Sequence, residues 1–306
     1  MKIAFTDFWG PCFNPHNNFF TNFLKKYRED IMVVEPGEAD VIFFTSKKYM
    51  GTENHKKYNC KKVYYQMEND EYPNLEECDV CLTFNYEDLG GKNVRLPYWI
   101  TCVNWFDLKE GYCTREDPHH CGLCDPRSLI SPENVDCNLY SQRDKTEFCC
   151  IVVNHLRNRR DEVLAEIKKY RHVDCYGKIF NNRLSTFGNN FYDTRDDKKL
   201  ELISKYKFNI CFEANMRPGY VCEKILHAKA AGCIPLANID KTVSTDFNPK
   251  CFLNLQDFDT VEEYVNKIIQ MDKDDTIYKS MRSQPLFHYS VSLDPIYQQF
   301  KHVLKM

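Results

Sequence analysis

The stretch Lys205–Leu236, KYKFNICFEANMRPGYVCEKILHAKAAGCIPL, most limits what this chain can fold into. Phe208, Ile210 and Phe212 alternate with Asn209 and Cys211, which predicts a short buried strand. Pro218-Gly219 then breaks the chain. Val221, Ile225, Ala228 and Ala231 fall at three- and four-residue spacing, which predicts a helix over Tyr220–Ala231. Gly232 follows it as a C-terminal cap should. Cys233–Leu236 reads as a second strand, with Pro235 favouring its end or an edge. Strand, loop, helix and strand in this order belong to an α/β protein, where ligands sit outside the carboxyl ends of the strands. The loop and first helical turn also carry Glu213, Asn215, Arg217, Tyr220, Glu223 and Lys224. A helix start offers unpaired N–H groups to an anion. On the predicted helix Lys224 shares a face with Tyr220 and reaches that end. From spacing alone, an ordinary solvated Glu223-Lys224 surface pair is the commoner arrangement.

The same alternation runs through the rest of the chain. Strands are predicted at Lys2–Phe5, 31–34, 40–44, 62–66 and 79–84. A helical face is formed by Phe19, Phe20, Phe23, Leu24 and Tyr27. Residues from about 107 to 146 lose this periodicity and read as an irregular connection. Strands near 148–153, 173–176 and 251–254 and helices near 158–170, 200–203 and 261–271 complete a second series. The expected division is therefore 1–145 and 146–306, with the last helix, 294–304, crossing back onto the first domain.

Composition excludes several classes. The net charge is −3 and no long basic run occurs, which argues against a nucleic-acid binder. No run of about 18 apolar residues is present, so no transmembrane helix is expected, and the N-terminus lacks the pattern of a secretory signal. The sixteen cysteines lie largely inside apolar runs, which suits reduced thiols in a cytoplasmic protein. Cys113, His119, His120, Cys121 and Cys124 form one cluster, open to a structural metal, a disulfide or plain loop thiols. No GxGxxG and no P-loop occurs among only 11 glycines, so phosphate binding must rest on side chains and helix ends.

Four segments together are similar to the α1,3/1,4-fucosyltransferases of glycosyltransferase family 10. They are FxxCFEAN…GYVxEKIxxAxxAGxIP, then Asp246–Lys250 with Cys251–Asn254, then Tyr65–Asn69 with Pro73-Asn74 and Cys78-Asp79, and Val152-Val153-Asn154 with Arg160. The resemblance implies a GT-B fold, two Rossmann-like α/β domains facing across a cleft. It implies inverting transfer of fucose from GDP-fucose to a glycan hydroxyl, expected at O3 of N-acetylglucosamine or glucose. Glu68 is the expected base, and Glu223 the group facing the fucose. Arg160 and Lys224 would clamp the diphosphate, while Asn154, Gly177, Lys178, Asn215 and Tyr220 would line the donor site. Tyr220 equally fits a half-buried aromatic over the helix start. No cofactor beyond the donor substrate and no catalytic metal is expected. The acceptor is read from no motif. Ala214 stands where the family places Asn, with Asn215 one position later, and Cys222 where it places Thr. These departures leave open another nucleotide sugar, or a non-catalytic nucleotide-sugar or glycan binder.

Overall fold

The computed structural model describes residues 1–8, 13–46, 51–69, 72–108, 129–135, 140, 143–155, 157–177, 182, 196–288 and 290–306. Two compact units result: Met1–Leu129 with Val291–Met306, and Ile130–Ser290. The division thus falls before residue 145. The reason is local: Ile130 and Val135 are buried, and the short helix carrying Val135 packs within the second unit.

The first unit holds a six-stranded sheet: β1 (Lys2–Phe5), β2 (Met32–Val33), β3 (Val41–Thr45), β4 (Lys61–Tyr65), β5 (Val80–Thr83) and β6 (Asn93–Arg95). Every pairing is parallel, and the order is β2-β1-β3-β4-β5-β6. Parallel strands need covered faces, which explains the continuous burial of Val41–Thr45. Helix α1 (Phe19–Tyr27) supplies cover with Phe19, Phe20, Phe23 and Leu24, and Asn18 caps it by accepting from the Thr21 N–H. The last helix, Asp294–Leu304, belongs to this unit: Phe300 stacks with Phe43, and Tyr297 with Tyr27. β6 was not foreseen, because Val94 is the one apolar residue among its three.

Asp7, just beyond β1, ties this unit's carboxyl edge together. Its buried carboxylate accepts from the Thr52 hydroxyl at 2.6 Å, from the Asn54 and His55 N–H groups at 2.9 Å each, and from the Asn54 amide at 3.1 Å. It also contacts His55 Nδ1 at 2.9 Å.

The second unit holds β7 (Glu147–Val152), β8 (Asp174–Tyr176), β9 (Tyr206–Ile210), β10 (Ile234–Ala237) and β11 (Leu253–Asn254). The order is β11-β10-β9-β7-β8, again all parallel. In chain order its helices are α2 (Pro132–Val135), α3 (Arg160–Tyr170), α4 (Asp196–Ile203), α5 (Lys224–Ala230), α6 (Val261–Lys273) and α7 (Asp275–Arg282). Val163, Leu164 and Ile167 of α3 meet Tyr264, Val265 and Ile268 of α6 in one core. Thr260 starts α6 by accepting from the Glu263 N–H.

Pro235 is a correction: it lies in β10, which pairs on both sides. The strand tolerates it because Leu236 turns toward β9, where its carbonyl accepts from the Cys211 N–H. Pro235 therefore turns toward β11, whose ladder begins only at Leu236.

Burial alone would raise the pKa of Asp7, but the Thr52 hydroxyl and the His55 and Asn54 N–H groups outweigh it and hold the carboxyl below the ordinary aspartate value. A folded-state pKa below the unfolded one adds stability that is present above the unfolded value and lost as pH falls through the folded one. Asp7→Asn is therefore expected to cost roughly 2–4 kcal/mol at neutral pH. It should also flatten the loss of stability on acidification, as measured by urea unfolding at a series of pH values.

Candidate functional site

In the second sheet the strand order reverses between β7 and β9, since β8 lies to one side and β9 to the other. The crevice beyond the carboxyl ends at such a point is where α/β sheets bind ligands. The chain following β7 brings Asn154, Asn158 and Arg160 there. The chain following β9 brings Glu213 and then Glu223 and Lys224.

Four side chains lace this edge. Arg160 is only 3% exposed and donates from Nη1 to the His155 carbonyl at 2.8 Å and from Nη2 to the Phe212 carbonyl, joining the ends of β7 and β9. Asn158, at φ 58°, donates to the carbonyls of Glu213 at 3.1 Å and Asn238 at 3.2 Å. Asn238 returns two bonds to Asn158 and accepts from Gln256 at 2.7 Å. The ends of β7, β9, β10 and β11 are thereby fixed to one another.

Arg160 does not present an open fork, as a simple clamp would. Two of its nitrogens bind backbone carbonyls, and its buried Nε has no hydrogen-bond partner. Burial pulls its pKa down, against the attraction of Glu213. A desolvated cation held mainly by carbonyls favours an anion nearby. Its neighbour Arg159 is an exposed surface residue paired with Glu162 at 2.7 Å.

The helix start differs from its sequence expectation. α5 begins at Lys224, so Tyr220 and Lys224 share no helix face. The cause is Glu213, whose buried carboxylate accepts from the Cys222 N–H at 2.8 Å and from the Lys224 ammonium at 2.8 Å. That N–H is drawn out of the helical ladder, and the first helical bond runs from the His227 N–H to the Glu223 carbonyl at 2.8 Å. Tyr220 is buried at 4% exposure, and its hydroxyl oxygen accepts from the Cys222 thiol. Gly232, at φ 72°, closes the far end as expected, and the Cys233 N–H returns to the Ala228 carbonyl.

Glu223 is the least satisfied carboxylate of this group. Its Oε1 lies 3.7 Å from the Lys224 ammonium and 3.9 Å from that of Lys199, and a quarter of the side chain is exposed. Among the described residues no side chain donates to it at hydrogen-bond distance. Burial would raise its pKa, yet Lys224 and Lys199 pull it down to about 2. It is an ionised acceptor ready for a hydroxyl or a developing positive charge. On the same edge Gly177 and Asn154 meet. Gly177 has φ 103°, and a β-carbon there would stand 2.1 Å from the Val153 carbonyl oxygen and 3.1 Å from Asn154 Oδ1. Asn215 is exposed on the loop after β9.

Lys178 and the Cys113–Cys124 cluster lie outside the described residues. Glu68 lies in the first unit, three residues beyond β4 and half-buried. Sequence reasoning gave no role to Lys199, His227, Asn158 or Asn238. Only Glu213 carried a signal, its place at the end of a predicted strand.

The two units, each a parallel sheet with helices, share the fold of the GT-B class of glycosyltransferase structures. Residues 142–284 match the family model "Glycosyltransferase family 10 (fucosyltransferase) C-term", and residues 3–102 match "Alpha-(1,3)-fucosyltransferase FucT N-terminal domain". The chain belongs to glycosyltransferase family 10. It is 27% identical to the alpha-(1,3)-fucosyltransferase FucT of Helicobacter pylori over all of this chain and 66% of that protein. It is 31% identical to the putative fucosyltransferase R654 of Acanthamoeba polyphaga mimivirus over 47% of this chain and 25% of that one. The chain thus spans less than two thirds of the length of either relative. A crystal structure of an alpha1,3-fucosyltransferase with GDP-fucose superposes with a TM-score of 0.72 at 23% identity, over all of this chain and 90% of that one.

Gly177→Ala should destabilise the protein by roughly 2–4 kcal/mol, since a left-handed φ and a clash with a backbone carbonyl combine. Denaturant unfolding of the variant beside the parent measures this.

Proposed function

We propose that the chain transfers fucose from GDP-fucose to a glycan hydroxyl, with inversion, at O3 of N-acetylglucosamine or glucose. The observation that carries this reading is the Glu223 carboxylate, bracketed by the ammonium groups of Lys199 and Lys224 at the reversal point of the second sheet. Family membership and the fold likeness to a fucosyltransferase support it.

In this mechanism the acceptor oxygen attacks the anomeric carbon, the bond from that carbon to the diphosphate oxygen breaks, and GDP departs. Glu68 takes the acceptor proton. Lys224 meets the charge gathering on the diphosphate, and buried Arg160 adds its field and its uncommitted N–H groups. Glu223 accepts from a fucose hydroxyl or faces the positive charge of the sugar ring. Asn154 and Gly177 would face the nucleotide, with Lys178 following them. Tyr220 would act by shaping the pocket wall, since its side chain is buried. The diphosphate is expected to be held by side chains without a catalytic metal. Among the described residues no helix is long and apolar enough to cross a membrane. The buried thiols of Cys149, Cys150, Cys175 and Cys211 favour a reducing, cytoplasmic setting.

A second reading, transfer from another nucleotide sugar, draws on the loop after β9, where Ala214 replaces an amide and Asn215 is exposed. Incubation with GDP-fucose and a β-galactosyl-N-acetylglucosamine acceptor should release GDP and yield an α1,3-linked product by NMR. Turnover with a different nucleotide sugar and none with GDP-fucose would establish the second reading instead. Binding of GDP-fucose without transfer to any glycan would indicate a non-catalytic relative. Glu68→Gln is expected to lower turnover by about 10²–10⁴-fold with GDP affinity kept. Lys224→Met should weaken GDP binding by about tenfold or more in calorimetry.

A further inference from the structure

Lys199 lies on α4, in a polar part of the sequence that no motif singled out. Its ammonium is 2.8 Å from Nδ1 of His227 and 3.9 Å from Oε1 of Glu223, and its side chain is 16% exposed. His227 is fully buried on α5. Burial, then the Lys199 charge, holds the imidazole well below its ordinary pKa. A neutral ring that accepts at Nδ1 carries its proton on Nε2. His227 is thus a fixed acceptor that holds the head of a flexible lysine in one place.

The other cation beside Glu223 is held in the same manner. Lys224 is anchored by Glu213 at 2.8 Å and reaches the same oxygen, Oε1, at 3.7 Å. Two ammonium groups, each bound elsewhere, therefore flank one carboxylate oxygen. Neither lies within hydrogen-bond distance of it, so the carboxylate is neutralised without being consumed. Among the described residues, the charged groups around Glu223 are Lys199 from α4, Lys224 from α5, Glu213 beyond β9 and Arg160 at the start of α3, with the neutral, titratable His227 beside them.

We propose that Lys199, held by His227, is a positioning residue: it keeps the carboxylate of Glu223 ionised and turned to receive the donor sugar. The sugar-facing role of Glu223 rests on the fucosyl-transfer reading above, whereas the effect of Lys199 on Glu223 does not. Lys199 need not touch the donor. Its work is done through Glu223, so the two residues must be energetically coupled.

The test is a double-mutant cycle with Lys199→Met and Glu223→Gln, assayed with GDP-fucose and the acceptor above. Lys199→Met is expected to lower kcat by about tenfold or more, while GDP affinity by calorimetry stays within about threefold of the parent. Lys199→Arg should recover most of the loss. In the Glu223→Gln background, Lys199→Met should have little further effect. An equal loss in both backgrounds overturns the proposal, as does a loss of GDP affinity with kcat kept, which would make Lys199 a diphosphate ligand.

One arm needs no turnover. The carboxyl carbon of Glu223, assigned in ¹³C NMR by its absence in Glu223→Gln, should be flat from about pH 7 to pH 4 in the parent and begin to titrate there in Lys199→Met. The direction follows from removing a cation that favours the ionised form. A flat response in both proteins overturns the proposal even if the donor proves to be another nucleotide sugar. Titration in the variant with no transfer from GDP-fucose upholds Lys199 and rejects the donor assignment alone.

Discussion

The candidate site of the second unit is built around one buried carboxylate. Glu213, at the end of β9, accepts from a backbone N–H at the foot of α5 and from the first lysine of that helix. A carboxylate so buried is tolerable only with such partners, because an unpaired buried charge is costly. Satisfying it sets where α5 begins, and so sets where Glu223 and Lys224 stand. The loop of residues 211–223 is drawn into shape by this anchor rather than by helical propensity.

The carboxyl edge then follows as one construction. Arg160 joins the chain after β7 to the chain after β9, and Asn158, Asn238 and Gln256 extend the lacing to β10 and β11. These groups satisfy backbone carbonyls that strands leave behind at their ends. They also explain how a glycine-poor sequence could build the proposed anion site. The backbone is held by side chains, and the positive charge comes from lysine and arginine, not from a glycine-rich cradle.

Much of this was legible in the chain. The alternation in Phe208–Phe212 and the small-residue stripe ending at Gly232 announced strand, helix and cap, because burial on both faces and a left-handed C-terminus leave plain marks. Arg160 was singled out from three neighbouring arginines, and it alone turns inward, while Arg159 pairs on the surface. The helix start was misread by four residues. Periodicity records which residues are apolar, and Val221 is buried whether or not it is helical. What moved the start was a side-chain bond across nine residues of loop, which has no period. Asn158 and Asn238 were silent for the same reason: an amide that closes a network 80 residues long looks like any loop asparagine.

Lys199 shows the limit in its sharpest form. In sequence it is one of several charged residues on a polar helix, the usual mark of a solvated face. In the fold its nearest partner is a histidine buried on the next helix, and its charge falls beside Glu223. The pattern of two anchored cations around one carboxylate needs β9 and α5 to be in place before it exists. Motif residues such as Glu223 and Lys224 identify a site because they adjoin in the chain. The residues that tune them come from elsewhere, and their position is a property of the packed edge. A carboxylate at this edge with both its cations anchored elsewhere keeps its charge without surrendering its acceptor capacity, which is what a group facing a developing oxocarbenium ion requires.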